Sequence, residues 1–196
     1  MLDKCFELQK TLRAAGIRTA VDDRDNHNPG FKFNDWEVKG TPLRLELGNK
    51  DFEAGEVRVA VRHNSQKFQA KWDNLADEIG KLLDTIHNDM YNKAKAARTA
   101  FTKRASNWEE FMDALNGKNI CLAPWCDTVQ CEKNVKDQSK NDSLQKMAEA
   151  NEDEVTLTGS AKTLCIPLEQ PELSADCKCF NCGKPAKVTA LWGRSY

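Results

Sequence analysis

The sequence predicts an α/β protein built as two units. Apolar residues recur at three- and four-residue spacing from Trp72 to Met90, which predicts a long helix with one buried face. Valines alternate over residues 57–61, which predicts a strand buried on one side. Most of the eight cysteines lie in the second half of the chain, so a second unit with its own chemistry is predicted to begin near Ser106.

Charge and hydropathy limit the classes of partner. The 196 residues include 29 basic and 30 acidic side chains, for a formal net charge of -1. No global positive field therefore exists to hold nucleic acid unspecifically, DNA is not expected as a partner, and any RNA contact must be local. No apolar run approaches the roughly 20 residues of a membrane helix, and the first residues resemble an amphipathic helix rather than a signal peptide. We expect a cytoplasmic protein with no membrane contact.

The predicted elements of the first unit alternate between helices and strands. Breaker residues such as Gly16, Gly40 and Pro42 separate them. In order, we predict a helix ending before Gly16, a strand at 17–21, a turn-rich loop at 22–30, helical turns at 31–38, strands at 43–47 and 57–61, and a long helix from Gln66.

A basic run follows that helix. Residues 91–104 hold five lysines or arginines and no acid. Two interpretations stay open: a solvated helix face, or a surface that follows RNA phosphates.

The second unit is predicted to open with a capping box made by Ser106 and Glu109 at the start of a helix. A strand through Ile120 follows. Residues 133–154 contain few large apolar side chains and are expected to be a mobile or partly helical insert. The predicted domains are thus 1–105 and 106–196.

Residues 29–48 combine aromatic and charged side chains. Phe33 and Trp36 lie three residues apart, and their simplest interpretation is the buried face of one helical turn. The alternative is a ring framework that presents the Glu37 carboxylate and the Arg44 guanidinium to base edges.

The cysteines indicate a metal. Cys126 and Cys131 form one close group, and Cys177, Cys179 and Cys182 form another about fifty residues later. Two cysteine pairs from distant segments suit a tetrahedral structural zinc, and Gly183 would allow the tight turn that directs backbone N–H groups at a thiolate. Unligated buried thiols are the alternative. The other three cysteines have apolar neighbours and are predicted to be small core residues: Cys5, Cys121 and Cys165.

Several of these stretches together resemble one family. VDDRDNHN followed by PGFKFNDWEVKGTPLRLELG, then VRVAVRHN, GKNICLAPWCDTVQC and CGKPAKVTALWGRSY, are similar to the C-terminal part of prolyl-tRNA synthetase of the archaeal and eukaryotic type. The resemblance covers nearly the whole chain. It implies a class II synthetase anticodon-binding domain, with a mixed sheet flanked by helices, followed by a small α/β zinc-binding domain.

The resemblance also implies roles for single residues. Glu37 and Arg44 match positions that read the two guanines of the proline anticodon, and Lys39 and Lys50 would contact phosphates. Cys126, Cys131 and Cys182 match zinc ligands, with Cys179 as the remaining one and Cys177 in reserve. The carboxylate of Tyr196 would lie near the active site of the whole enzyme, and Tyr196 is expected to be ordered.

As to function, the resemblance implies the tRNA-binding part of a proline-tRNA ligase. The whole enzyme would join proline to tRNA(Pro) with ATP and Mg²⁺, in a catalytic domain that this chain lacks, and would be a homodimer. No activity is expected of the chain alone. The family has a strand before the first helix that is missing here, so either the chain is a fragment or something else completes the sheet. The alternative function is a non-catalytic, zinc-bearing RNA-binding or scaffold protein.

Overall fold

The computed structural model describes residues 1–149 and 159–195. The chain divides into two compact units, Met1–Ala94 and Lys95–Tyr196. This division falls inside a long helix, ahead of the boundary predicted near Ser106. None of the helices described is both long and apolar enough to cross a bilayer.

The first unit has a three-stranded sheet. The strand order is β1-β2-β3 and both pairs are antiparallel, with Leu43 opposite Val61 and Arg44 opposite Ala60. Its elements are α1 (Leu2–Ala14), α2 (Pro29–Val38), β1 (Leu43–Glu46), α3 (Asn49–Ala54), β2 (Glu56–Val61), β3 (Lys67–Lys71), a 3-10 turn (Trp72–Asn74) and α4 (Leu75–Ala100).

The core of the first unit joins two helices to the sheet. Leu12 from α1, Val59 from β2 and Leu75 from α4 are each at most 1% exposed. The alternating valines of 57–61 are buried as predicted. Burial of these faces is what fixes α1 and α4 against the strands.

Two predictions in this unit are wrong. Residues 17–21 pair with no strand in the described part of the chain; the carbonyl of Thr19 instead accepts hydrogen bonds from Arg13, whose Nε lies at 2.9 Å and Nη2 at 2.7 Å. The long helix begins at Leu75 and not at Gln66, because residues 67–71 form β3. Pairing with β2 across a hairpin decides this segment, and such pairing is invisible to helical spacing.

The second unit has a four-stranded sheet in the order β4-β5-β7-β6. The mixed sheet lies here: β4 is parallel to β5, while β5 with β7 and β6 with β7 are antiparallel. The elements are β4 (Thr102–Arg104), α5 (Trp108–Asn116), β5 (Ile120–Trp125), α6 (Val129–Glu149), β6 (Ser160–Cys165) and β7 (Val188–Ser195).

The start of α5 is displaced by one residue from the prediction. Asn107, and not Ser106, is the N-cap, and its Oδ1 accepts from the backbone N–H of Glu110 at 2.9 Å. Oε2 of Glu110 in turn accepts from the backbone N–H of Ser106 at 2.8 Å. Asparagine caps a helix as well as serine does, so the pattern alone left both registers open.

Of the two alternatives for residues 133–154, the helical one holds for 133–149, which belong to α6. The rest of this segment lies outside the described residues. Val135 and Ser139 are fully buried, and Ser139 Oγ accepts from the backbone N–H of Ala161 at 2.8 Å. Buried serines take the place of apolar residues on the inner face of α6, so a count of apolar residues underestimates the order of the segment.

Large rings form the core of the second unit. Trp192 of β7 is fully buried and meets Phe111, Trp125 and Phe180 edge-on, with ring centroids 5.3 to 5.9 Å apart. Edge-to-face contacts of this kind add to the free energy gained from burial. Phe180 belongs to the cysteine-bearing loop, so the same core holds that loop in place.

Candidate functional site

A small cavity opens in the first unit between α2, β1 and the β2–β3 hairpin. Its volume is about 150 Å³. Both predicted base-reading residues, Glu37 and Arg44, line it. The other lining residues are Thr41, Ala60, Val61, Arg62, Ser65, Gln66 and Lys67.

Arg44 is held on three sides. Its Nη1 donates to Glu37, its Nε donates to Oε1 of Glu46 at 2.9 Å, and its guanidinium carbon lies 4.0 Å from the centroid of the Phe33 ring. Burial disfavours the charge on Arg44, but the two carboxylates outweigh it and raise the pKa of the guanidinium. The two residues predicted to read the anticodon guanines therefore form one ion pair in the chain by itself.

Local sequence explains this arrangement. Asn28 caps α2 by accepting from the backbone N–H of Phe31 at 2.9 Å, and Pro29 occupies the first turn, so Glu37 falls in the last turn. Arg44 and Glu46 are two residues apart on β1 and share one face of the sheet. Ala60, opposite Arg44 on β2, is small and leaves room for the cavity.

Two rings of α2, Phe33 and Trp36, are half-buried and do not form the buried helix face of the simplest interpretation. Phe33 and Trp36 are absent from the buried core, yet each lies beside a cation: Phe33 beside Arg44, and Trp36 with the Lys39 ammonium 4.9 Å from its ring centroid. Lys39 Nζ also lies 2.9 Å from Oδ2 of Asp35. The rings thus act as supports for charged groups.

Ion pairs and a hydrogen bond hold the loop before α2 against that helix. Asp22 accepts from Arg24 Nη2 at 2.7 Å and from Trp36 Nε1 at 2.8 Å, and Arg24 Nη2 also donates to Asp35 at 2.9 Å. Arg24, with a smaller contribution from Trp36, holds the pKa of the Asp22 carboxyl well below its usual range in spite of burial. This network determines where the last turn of α2 lies.

The observed site differs from the predicted one at Lys50 and at three residues in and around the β2–β3 hairpin. Lys50 is exposed on α3 and does not line the cavity. Arg62, Ser65 and Lys67 do line it, and the sequence analysis missed them. The signal in the sequence was the polar stretch around Ser65, which the helix predicted from Gln66 hid. In the structure Ser65 has a positive φ of 60°, as a tight turn requires.

The second unit brings four predicted ligands together. The Sγ atoms of Cys126, Cys131, Cys179 and Cys182 all lie within 4.8 Å of one another. Cys131 and Cys179 are 3.7 Å apart, and Cys126 and Cys182 are 3.6 Å apart. A tetrahedron of thiolates with bonds of about 2.3 Å to one zinc has sulfur atoms separated by about 3.8 Å. Cys177 is not in the group.

The turn that follows Cys182 directs a backbone N–H at a thiol, as predicted. Gly183 has a φ of 68°, as a tight turn requires, and its backbone N–H donates to the carbonyl of Cys179 at 3.1 Å. The backbone N–H of the next residue, Lys184, donates to the sulfur of Cys182. The side chain of Asn181 also donates to the cluster, from Nδ2 to Sγ of Cys131 at 3.3 Å. An N–H donor stabilises negative charge on sulfur, so Asn181 favours a thiolate in the cluster.

The three cysteines predicted to be core residues differ in their burial. Cys121 is fully buried in the core as predicted, and burial raises the pKa of its thiol to about 12. Cys5 is half-buried. Cys165 is exposed at the end of β6, so its prediction as a core residue was wrong: apolar neighbours in sequence alternate faces on a strand, and β6 is an edge strand. Tyr196 lies outside the described residues.

Two families match the two units of the chain. The family described as "Anticodon binding domain" matches residues 1–82, and the family described as "Prolyl-tRNA synthetase, C-terminal" matches residues 108–196. The chain belongs to the prolyl-tRNA synthetase family. Residues 83–107 lie between the two matches. They include the whole basic run, whose residues from 91 to 100 are all exposed. Its contact with phosphates stays a prediction.

Relatives from distant organisms agree with this membership. The synthetase segment is 42% identical to the cytoplasmic proline-tRNA ligase of Arabidopsis thaliana, 40% to the bifunctional glutamate/proline-tRNA ligase of Drosophila melanogaster and 38% to the proline-tRNA ligase of Lachnospira eligens. These alignments cover 99%, 100% and 100% of the chain. The chain spans only 34%, 11% and 36% of the respective relatives.

Proposed function

We propose that residues 1–105 recognise the anticodon of proline tRNA and that residues 106–196 form a zinc-bearing domain of the same proline-tRNA ligase. The observation that carries the first part is the cavity in which Arg44 is held by Glu37, Glu46 and Phe33. A planar guanidinium with a fixed direction beside a carboxylate suits a base that offers both acceptors and donors.

Guanine is such a base. Its O6 and N7 accept hydrogen bonds from an arginine, and its N1 and N2 donate to a carboxylate. Because Glu37 and Arg44 are bonded to each other in the chain by itself, a guanine has to replace that contact with contacts of its own. Binding then exchanges one ion pair for base contacts, and a base that lacks either set of groups leaves a charge unpaired.

Phosphate contacts would add affinity without selecting a base. Lys50 is exposed near the start of α3 and can reach a phosphate, as can Lys39, although the ammonium of Lys39 is already paired with Asp35. We assign both to this role, with the larger contribution from Lys50.

In the second unit, the four clustered sulfur atoms suit one structural zinc held by Cys126, Cys131, Cys179 and Cys182. All four positions would be ligands, which leaves no open site for chemistry at the metal. The zinc would join the end of β5, the start of α6 and the loop before β7.

The whole ligase would then attach proline to tRNA(Pro) with ATP and Mg²⁺, in a catalytic domain beyond this chain. We propose that it acts as a cytoplasmic homodimer and that the carboxylate of Tyr196 supports its active site. The chain alone would bind tRNA without aminoacylating it.

The test is binding of proline tRNA transcripts to the 196-residue chain. We expect the wild-type chain to bind the native transcript about tenfold or more tightly than one with both anticodon guanines replaced by adenine. Arg44→Ala should abolish that preference, and Arg18→Ala, which removes an exposed arginine, should preserve it. A wild-type chain that binds both transcripts equally would refute anticodon reading and favour a non-catalytic RNA-binding or scaffold role.

A further inference from the structure

Glu46 contacts Arg44 on the side away from Glu37, and no base-reading role accounts for it. Its Oε1 accepts from Nε of Arg44 at 2.9 Å. The side chains of Arg44 and Glu46 are 15% and 19% exposed, whereas that of Glu37 is 48% exposed. Of the two carboxylates on Arg44, Glu46 is therefore the more enclosed, and Glu37 is the one that a ligand can reach.

The hydrogen-bond capacity of Arg44 shows what this contact does. A guanidinium has five N–H groups: one on Nε and two on each terminal nitrogen. An arginine can meet a base either side-on, through Nε and one terminal nitrogen, or end-on, through both terminal nitrogens. Glu46 occupies Nε, and the Phe33 ring covers one face, so only the end-on approach remains.

We propose that Glu46 is a positioning residue, which fixes Arg44 so that its two terminal nitrogens face the cavity and meet O6 and N7 of one anticodon guanine end-on. This inference rests on the proposed anticodon-reading function. Glu46 touches no base itself. When a guanine replaces Glu37 as the partner of Arg44, Glu46 stays in place and keeps both the direction and the charge balance of Arg44.

The two substitutions of Glu46 should differ in degree. Glu46→Gln keeps an oxygen that can accept from Nε but loses the negative charge, so the contact loses its ionic attraction to the guanidinium. Glu46→Ala removes the acceptor, so the guanidinium is no longer held in one direction. Selectivity for guanine should fall in the order wild type, Glu46→Gln, Glu46→Ala.

Replacing each anticodon guanine in turn with 7-deazaguanine provides the test, since this base lacks only the N7 acceptor. For the guanine that Arg44 meets, the wild-type chain should bind the modified transcript about tenfold more weakly than the native one. That ratio should fall below about threefold in Glu46→Ala and lie between the two values in Glu46→Gln. Glu78→Gln, which neutralises an exposed acid on α4, is the matched control and should keep the wild-type ratio.

A measurement without RNA completes the test. Hydrogen exchange at the Nε–H of Arg44, followed by NMR, should be slower in the wild type and in Glu78→Gln than in Glu46→Ala. If both Glu46 variants bind every transcript more weakly but keep the tenfold ratio, Glu46 acts on general affinity and the inference is overturned. Unchanged exchange at Nε would also overturn it. If the wild-type chain shows neither 7-deazaguanine sensitivity nor preference for anticodon guanines, the proposed function fails together with the inference.

Discussion

Trp36 donates its indole N–H to Oδ2 of Asp22 over 2.8 Å, which ties the loop before α2 to the helix that carries Glu37. Arg24 closes the same network by bridging Asp22 and Asp35. The placement of Glu37 thus depends on residues far from the cavity in sequence. Removing the charge of Asp22 should affect both stability and RNA selectivity.

We predict that Asp22→Asn lowers the free energy of unfolding of the chain at neutral pH, with an effect that shrinks in acid. The native pKa of Asp22 lies below its ordinary value of about 4, so its carboxylate stabilises the fold above that pH. This contribution is lost progressively as pH falls from about 4 through the native pKa. Urea unfolding at pH 7, 5 and 3 would measure it; an equal difference at all three pH values would contradict the prediction.

Glu37→Gln should weaken binding of proline tRNA by on the order of 1 to 3 kcal/mol, with little effect on an unrelated tRNA. The amide has only one acceptor oxygen where the carboxylate has two, and it leaves Arg44 without one of its charged partners. Binding curves for both tRNAs would measure this. An equal loss for both would assign Glu37 to the fold of the cavity and not to base reading.

Lys50→Ala should weaken binding of both tRNAs alike and reduce the slope of the salt dependence by about 1. Lys39→Ala should have a smaller effect, since the ammonium of Lys39 is paired with Asp35 before RNA binds. Titrations between low and moderate salt would separate the two. A tRNA-specific loss in Lys50→Ala would show that Lys50 reads a base.

The purified chain should contain one zinc, and Cys182→Ser should lose it whereas Cys177→Ser should keep it. Cys182 lies in the group of four sulfur atoms and Cys177 does not. Metal content measured by mass spectrometry after dialysis would decide the point. Full zinc content in Cys182→Ser would exclude it as a ligand.

Ser139→Ala should destabilise the second unit by about 1 to 3 kcal/mol, because the buried N–H of Ala161 would lose its acceptor. Ser106→Ala is the control: Ser106 is exposed and Asn107 is the N-cap of α5, so the free energy of unfolding should hardly change. Thermal unfolding of both variants would test this. If Ser106→Ala lowered the free energy of unfolding as much as Ser139→Ala, Ser106 would be the helix cap, as the sequence predicted.

Local spacing in the sequence was sufficient for several features. Spacing within a few residues was enough to predict the strand at 57–61 from its alternating valines and the helix α4 from its apolar residues after Leu75. The number and grouping of the cysteines were enough to predict a metal site. Such patterns depend on the periodicity of a strand or helix and on the coordination preference of a metal, which need no knowledge of the fold.

Other features depended on contacts between segments that are distant in sequence. The pairing of Glu37 with Arg44, the hairpin that brings Lys67 to the cavity and the burial of Ser139 beneath Ala161 follow from strand register and helix docking. A polar side chain is predicted to be exposed until a partner across the fold satisfies its hydrogen bonds. The sequence by itself therefore determined which residue types carry the charge and the thiols, and the tertiary structure decided which of them meet, because only packing brings each donor within hydrogen-bond distance of its acceptor.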